Sequence, residues 1–279
     1  MVEFKASFLS IDPNELVGFL LTETGQLERD AVNPADLLSW LNLQHTSFDF
    51  TAELPREVTA QTSPLRALLS FPDRLVATDA GLHPRRTRFS IFHEIAHFVL
   101  PNHEHALYLD SEECLSARSS VRLEQEANEF ASSLMFKGDQ FTLEANSHPI
   151  SAASVKALAD RYQNSFESTC RRFVERNLRP ALLAVFHEPA TSGCVDVDEE
   201  RVWQVRYCVT SPTFRNTYFT SIEGVVPHEA AQELTTPGRD IADSIVAEAL
   251  VAGPNGSSSP FRLEFFSNSF SIFCLLTPP

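Results

Sequence analysis

Arg88-Phe89-Ser90-Ile91-Phe92-His93-Glu94-Ile95-Ala96-His97 decides how the rest of the chain is read. The apolar spacing predicts a helix over roughly 88–100, stopped by Pro101. Histidines at i and i+4 on a helix project from one face, so both imidazoles can reach a single metal ion. Glu94, between them, can orient and deprotonate the attacking water. The bland alternative is a helix with two unremarkable histidines. The other side chains there (Ile91, Phe92, Ile95, Phe98 and Val99) call for burial. Two imidazoles and a carboxylate are costly to bury without partners, and a metal supplies them.

A catalytic site of this type needs a third protein ligand and one open position. The next helix, roughly 121–136 and ending near Gly138, offers Glu124, Glu126 and Glu129. Counting 100° per residue from Leu123, the apolar arc runs from Phe130 at about −20° to Met135 at about 120°. Glu124 falls inside it at about 100°, whereas Glu126 and Glu129 fall outside. Small Ala127 and Ala131 would let this helix approach the histidine helix closely. Glu124 is the preferred ligand and Glu126 the fallback. His and Glu donors suit zinc, and manganese as the working metal as well. Tyr108, His103 and His105 follow the histidine helix and could reach the site, but each is read as an ordinary loop residue, so no oxyanion donor is assigned.

The chain has 279 residues and a formal charge of −15. Residues 1–150 carry 11 basic and 22 acidic side chains, residues 151–180 carry 6 and 3, and residues 181–279 carry 5 and 12. A short basic insert thus joins two acidic blocks. The acidity argues against a protein that coats nucleic acid or an anionic membrane. No apolar run approaches the ~18 residues needed to span a bilayer, and acidic Asp12 and Glu15 interrupt the N-terminus before a signal-like stretch is complete. Five scattered cysteines without a CxxC read as reduced thiols in a cytoplasmic protein.

The first block also shows a helix start at Asp12-Pro13-Asn14, with Leu16, Phe19 and Leu20 as its stripe. Asn33 is placed as the cap of a helix begun by Pro34, and residues 72–79 read as a strand. In the middle block, Val155, Leu158 and Ala159 mark one helix, Tyr162–Ser165 a turn, and residues 166–176 a second helix. Arg171, Arg172, Arg176 and Arg179 there could contact phosphates. The flanking acidity favours a packing or substrate-docking role over direct DNA binding. The third block reads as strands at 181–187 and 202–209, an amphipathic helix at 240–251, a loop at 253–260 and a strand pair at 261–266 and 270–276. Trp203 and His228 are read as structural residues.

The quoted stretch, followed by Glu124-Gln125-Glu126-Ala127-Asn128-Glu129-Phe130-Ala131-Ser132-Ser133-Leu134-Met135, resembles the ImmA/IrrE metallopeptidases. Ser90 and Phe136 depart from that family's usual Thr and Pro. The resemblance implies that Glu124 is the third ligand. It also implies an α+β chain in three parts: a helical zincin-like metallopeptidase domain at 1–150, a helix–turn–helix-like segment at 151–180 and a GAF-like domain at 181–279. The order resembles the radiation-response regulators of the family. It implies a gluzincin-like enzyme that cleaves a helix–turn–helix transcriptional repressor after DNA damage, and an unidentified small-molecule signal at the C-terminal domain. The competing reading is a DNA-binding transcriptional regulator whose metal is structural; Glu94 separates the two, because a structural site needs ligands but no general base.

Overall fold

The computed structural model describes residues 12–53, 66–101, 103, 117–187, 203–218, 225–226, 233–234, 236, 240–241, 243–252, 258–268 and 270–279. The architecture is α+β. It divides into two compact units, Met1–Phe141 and Thr142–Pro279.

In the first unit, α1 (Pro13–Glu23) starts where Asp12 accepts the Asn14 N–H at 2.8 Å, and it buries Leu16, Val17, Leu20 and Leu21. α2 (Pro34–Trp40) is capped by Asn33, which accepts the Ala35 N–H at 3.0 Å. Phe19, read as part of the α1 stripe, sits at the edge and meets the Trp40 ring at 5.9 Å. β1 (Gln44–Phe48), α3 (Phe50–Glu53), β2 (Ala67–Ser70) and β3 (Leu75–Asp79) follow. Their sheet has the order β1-β3-β2, with β1 parallel and β2 antiparallel to the central β3.

A tight turn leads from β3 into α4 (Pro84–Val99), the histidine helix. Asp79 accepts the Gly81 N–H at 2.8 Å, and His83 caps the helix with Pro84 at its first position. The helix therefore begins one turn earlier than the expected 88. α4 packs against α5 (Ala117–Met135), the glutamate helix. α5 ends in a Schellman motif: Gly138 N–H bonds Ser133 O and Lys137 N–H bonds Leu134 O. Lys137 itself takes the left-handed conformation there, with φ +53. Its ammonium donates to the carbonyls of Leu27 and Arg29, which offsets the strain of a non-glycine residue at that position.

The boundary between the units falls within α6 (Asp139–Ser147). The second unit holds α7 (Ala152–Arg161), α8 (Phe166–Glu175), β4 (Leu182–His187), β5 (Trp203–Thr210), α9 (Pro212–Thr217), β6 (Val225–Val226), β7 (Ile245–Ala252), β8 (Ser258–Ser267) and β9 (Ile272–Thr277). The strands form one antiparallel sheet of order β6-β5-β4-β9-β8-β7. β4 and β9 are its buried centre, which is why both read as near-continuous apolar runs.

Ser151 and Ser165 cap α7 and α8, and Gln163 turns between them at φ +53. Phe166 packs edge-on against Phe266 and Phe273, and Glu264 of β8 accepts the Ala152 N–H at 3.0 Å. The helical pair is thereby fastened to the sheet of its own unit. Arg171 pairs with Glu175 at 2.8 Å, and Arg179 donates to the His148 carbonyl.

The sequence expectations for this part of the sheet fail. Residues 240–251 do not form an amphipathic helix: Ile245–Ala252 is strand β7, paired with β8 from Ile245↔Phe265 to Ala252↔Ser258. Ala247, Glu248, Ala249 and Leu250 favour a helix intrinsically, but the ladder to β8 overrides that weak preference. Leu250, within that strand, is exposed. Ser258–Pro260, expected in a loop, open β8. Cys170, Cys208 and Cys274 are in no disulfide. His105, Tyr108, Cys114, Cys194 and His228 lie outside the described residues.

Candidate metal centre

α4 brings its chemistry to a buried position because, from Ile91 to Val99, every other side chain on it is apolar. Phe92, Ile95 and Ala96 are fully buried, and Ile91, Phe98 and Val99 nearly so. Arg88 anchors the helix start: its guanidinium donates to the Val32 carbonyl at 2.7 Å and lies 5.2 Å from the Phe92 ring centre. Burial, with the charge of Arg85, lowers its pKa to about 10. On α5, Ala127 and Ala131 are fully buried, in keeping with the close approach expected from small side chains.

The two helices bring His93, His97 and Glu124 together. The Nε2 atoms of the two imidazoles are 3.1 Å apart. His93 Nε2 lies 3.1 Å from one Glu124 oxygen, and His97 Nε2 lies 3.3 Å from the other. A tetrahedral metal with bonds of 2.0–2.2 Å separates neighbouring donors by about 3.3 Å. Each of the three distances, the two to Glu124 running to different carboxylate oxygens, is close to that spacing. The donor chemistry also fits, since two neutral nitrogens and one carboxylate oxygen suit zinc or manganese. Among the described residues, these three alone form a cluster able to hold a metal ion.

The electrostatics follow from this crowding. Hydrogen bonds from His93 and His97 hold the Glu124 carboxyl well below the usual carboxylate range. Burial pulls the His93 pKa down, but the hydrogen bond to Glu124 and the charges of Glu94 and Glu124 outweigh it and raise the value. Glu94 is buried, and that burial raises its pKa against the opposing pull of His93 and His97. A buried carboxyl with a raised pKa beside two imidazoles is suited to exchange a proton with a bound reactant.

Two neighbours complete the arrangement. Asn128, one helical turn after Glu124, places its side-chain oxygen 3.1 Å from His93 Nδ1. Position 128 falls at about 140° on the same wheel, 40° beyond Glu124, so helical phase could have found it. His103 is the larger surprise. It is read from sequence as an ordinary loop residue, yet its ring is fully buried. Its Nδ1 lies 3.0 Å from His97 Nδ1, and its Nε2 lies 3.4 Å from Glu126. Glu126, the fallback ligand, thus meets His103 and not the donor triangle. No periodic signal carries across Pro101 to announce either contact.

No helix among the described residues is long and apolar enough to cross a membrane. No curated protein matches the chain significantly. Among solved structures, a Mycobacterium tuberculosis transcriptional regulator is similar at a TM-score of 0.53, with 16% identity over 98% of this chain and 90% of that one, a likeness of fold. Residues 57–174 match the M78 peptidase model, described as the IrrE N-terminal-like domain, and span both α4 and α5. Residues 57–174 are thus similar to the IrrE N-terminal-like domain of the M78 peptidases.

Proposed function

We propose that the chain is a metal-dependent endopeptidase that cleaves a helix–turn–helix transcriptional repressor and so induces the response to radiation and DNA damage. The observation that carries the catalytic half is the donor triangle of His93, His97 and Glu124 with buried Glu94 beside it. His93, His97 and Glu124 would hold zinc or manganese. The metal, when bound, supplies a Lewis acid that polarises the scissile carbonyl and makes water acidic. Glu94 takes the proton of the attacking water and returns it to the leaving amine. Burial suits Glu94 to both steps, because it raises the carboxyl's pKa and so eases its protonation. Asn128 holds the His93 ring so that its Nε2 faces the triangle.

The repressor substrate and the DNA-damage role rest on the motif resemblance, and the net charge of −15 agrees with a basic DNA-binding substrate. We read residues 1–150 as the catalytic domain, 151–180 as a helix–turn–helix-like segment and 181–279 as a GAF-like sensor of an unidentified small molecule. The test is incubation of the full chain with the co-encoded repressor and added zinc or manganese. Mass spectrometry then locates the cut. Glu94→Gln should bind metal and leave the repressor intact. Cleavage by that variant at the wild-type rate would refute the assignment. Sequence-specific DNA binding by the pure chain, with no cleavage of any repressor, would instead favour a regulator with a structural metal.

A further inference from the structure

Glu126, His103 and His97 form a continuous hydrogen-bonded chain that ends at the donor triangle. His97 directs Nε2 toward Glu124 and His93. To bind a metal, that nitrogen must offer its lone pair, so the proton sits on Nδ1. Nδ1–H can donate only to the atom it faces, His103 Nδ1 at 3.0 Å. His103 must then accept at Nδ1 and carry its own proton on Nε2. That proton points to Glu126 Oε2 at 3.4 Å. The other oxygen, Oε1, accepts from Arg122 Nε at 2.8 Å, which fixes the carboxylate from the solvent side. With a metal on His97 Nε2, each group has one assignment that satisfies all the others.

The two histidine ligands are thus backed differently. His93 rests on the neutral amide of Asn128, whereas His97 rests on a carboxylate acting through a second imidazole. The bland alternative for His103 is a buried ring that merely fills space. A space-filling ring needs no partner at both nitrogens, and a fully buried imidazole placed between an imidazole and a carboxylate has both.

We propose that His103 and Glu126 are positioning residues that set the tautomer and orientation of His97 and thereby tighten its hold on the metal. The proposal rests on the metal reading of the previous section. Its test uses the metal-free full chain, with zinc alone as the probe and a chromophoric chelator as competitor. His103→Phe keeps the ring volume and removes both nitrogens. Its zinc affinity should fall about 10–100-fold, while the melting temperature of the metal-free form stays near wild type. Glu126→Ala should weaken zinc several-fold, and Glu126→Gln, which keeps an acceptor, should restore part of the loss. Long-range proton–nitrogen spectra of the zinc-loaded chain should show His97 protonated at Nδ1 and His103 at Nε2.

Glu126 is partly exposed, so its variants carry the test if His103→Phe fails to fold. Zinc affinities within two-fold of wild type in the Glu126 variants, or a proton on His103 Nδ1, would overturn the relay and leave the metal site standing. A wild-type chain that binds no zinc overturns the metal reading and the relay with it.

Discussion

Zinc added to the metal-free chain should raise the melting temperature of the first unit and leave that of the second unmoved. The three donors all belong to residues 1–141, so binding energy enters that unit alone. At a free zinc concentration one hundred times the dissociation constant, binding stabilises the folded state by about 2.7 kcal/mol. Unfolding entropy near 60 °C is about 2.1 cal/mol/K per residue, or about 0.3 kcal/mol/K for 141 residues. The quotient is a shift of about 9 °C. If both units melted together as one transition of 279 residues, the same energy would give about 5 °C. Scanning calorimetry of the full chain, with and without zinc, reads either case. His97→Ala should abolish the shift, because it opens the triangle at the vertex that meets both other donors. An equal zinc shift in wild type and His97→Ala would refute the reasoning.

Asn128→Ala removes the 3.1 Å partner of His93 and should weaken zinc about ten-fold, as read by isothermal titration. The metal-free chain should also show a pH signature at Glu94. Its folded pKa is raised above 4.5, so its contribution to stability is full below that pH and is lost as pH rises through the folded value. Wild type should therefore lose stability relative to Glu94→Gln from about pH 4.5 upward when chelator is present, and parallel urea midpoints across that range would count against the burial argument. In the second unit, Phe166→Ala removes the edge-on contacts with Phe266 and Phe273 and should cost about 3–5 kcal/mol in urea unfolding, with a value below 1 kcal/mol contradicting the packing described.

Much of the candidate site was legible in sequence because it lies on two helices. The i, i+4 spacing of His93 and His97 and the wheel position of Glu124 are local properties, and the cap at Asn33 is local too. His103 was not legible, because its partners depend on where the chain turns after Pro101. β1 was missed for a different reason: Gln44, His45, Thr46 and Ser47 are all exposed, so this edge strand has no apolar alternation. Gln44–Phe48 are in the sheet only because β3 offers them a parallel partner. β7 was misread because intrinsic preference and tertiary pairing disagree there, and the pairing is made with a strand beyond the 253–257 connection.

The central place of β9 has a consequence for how the protein is made. β4 is complete at His187, yet its neighbour β9 starts at Ile272, 85 residues later. At about 5–20 residues per second, a ribosome needs roughly 4–17 s to cover that distance. Throughout the interval one edge of Leu182–His187, among the most apolar strands of the sheet, has no partner. During synthesis the nascent second unit thus exposes a sticky strand edge for seconds, long enough for a chaperone, or a neighbouring nascent chain, to reach it first.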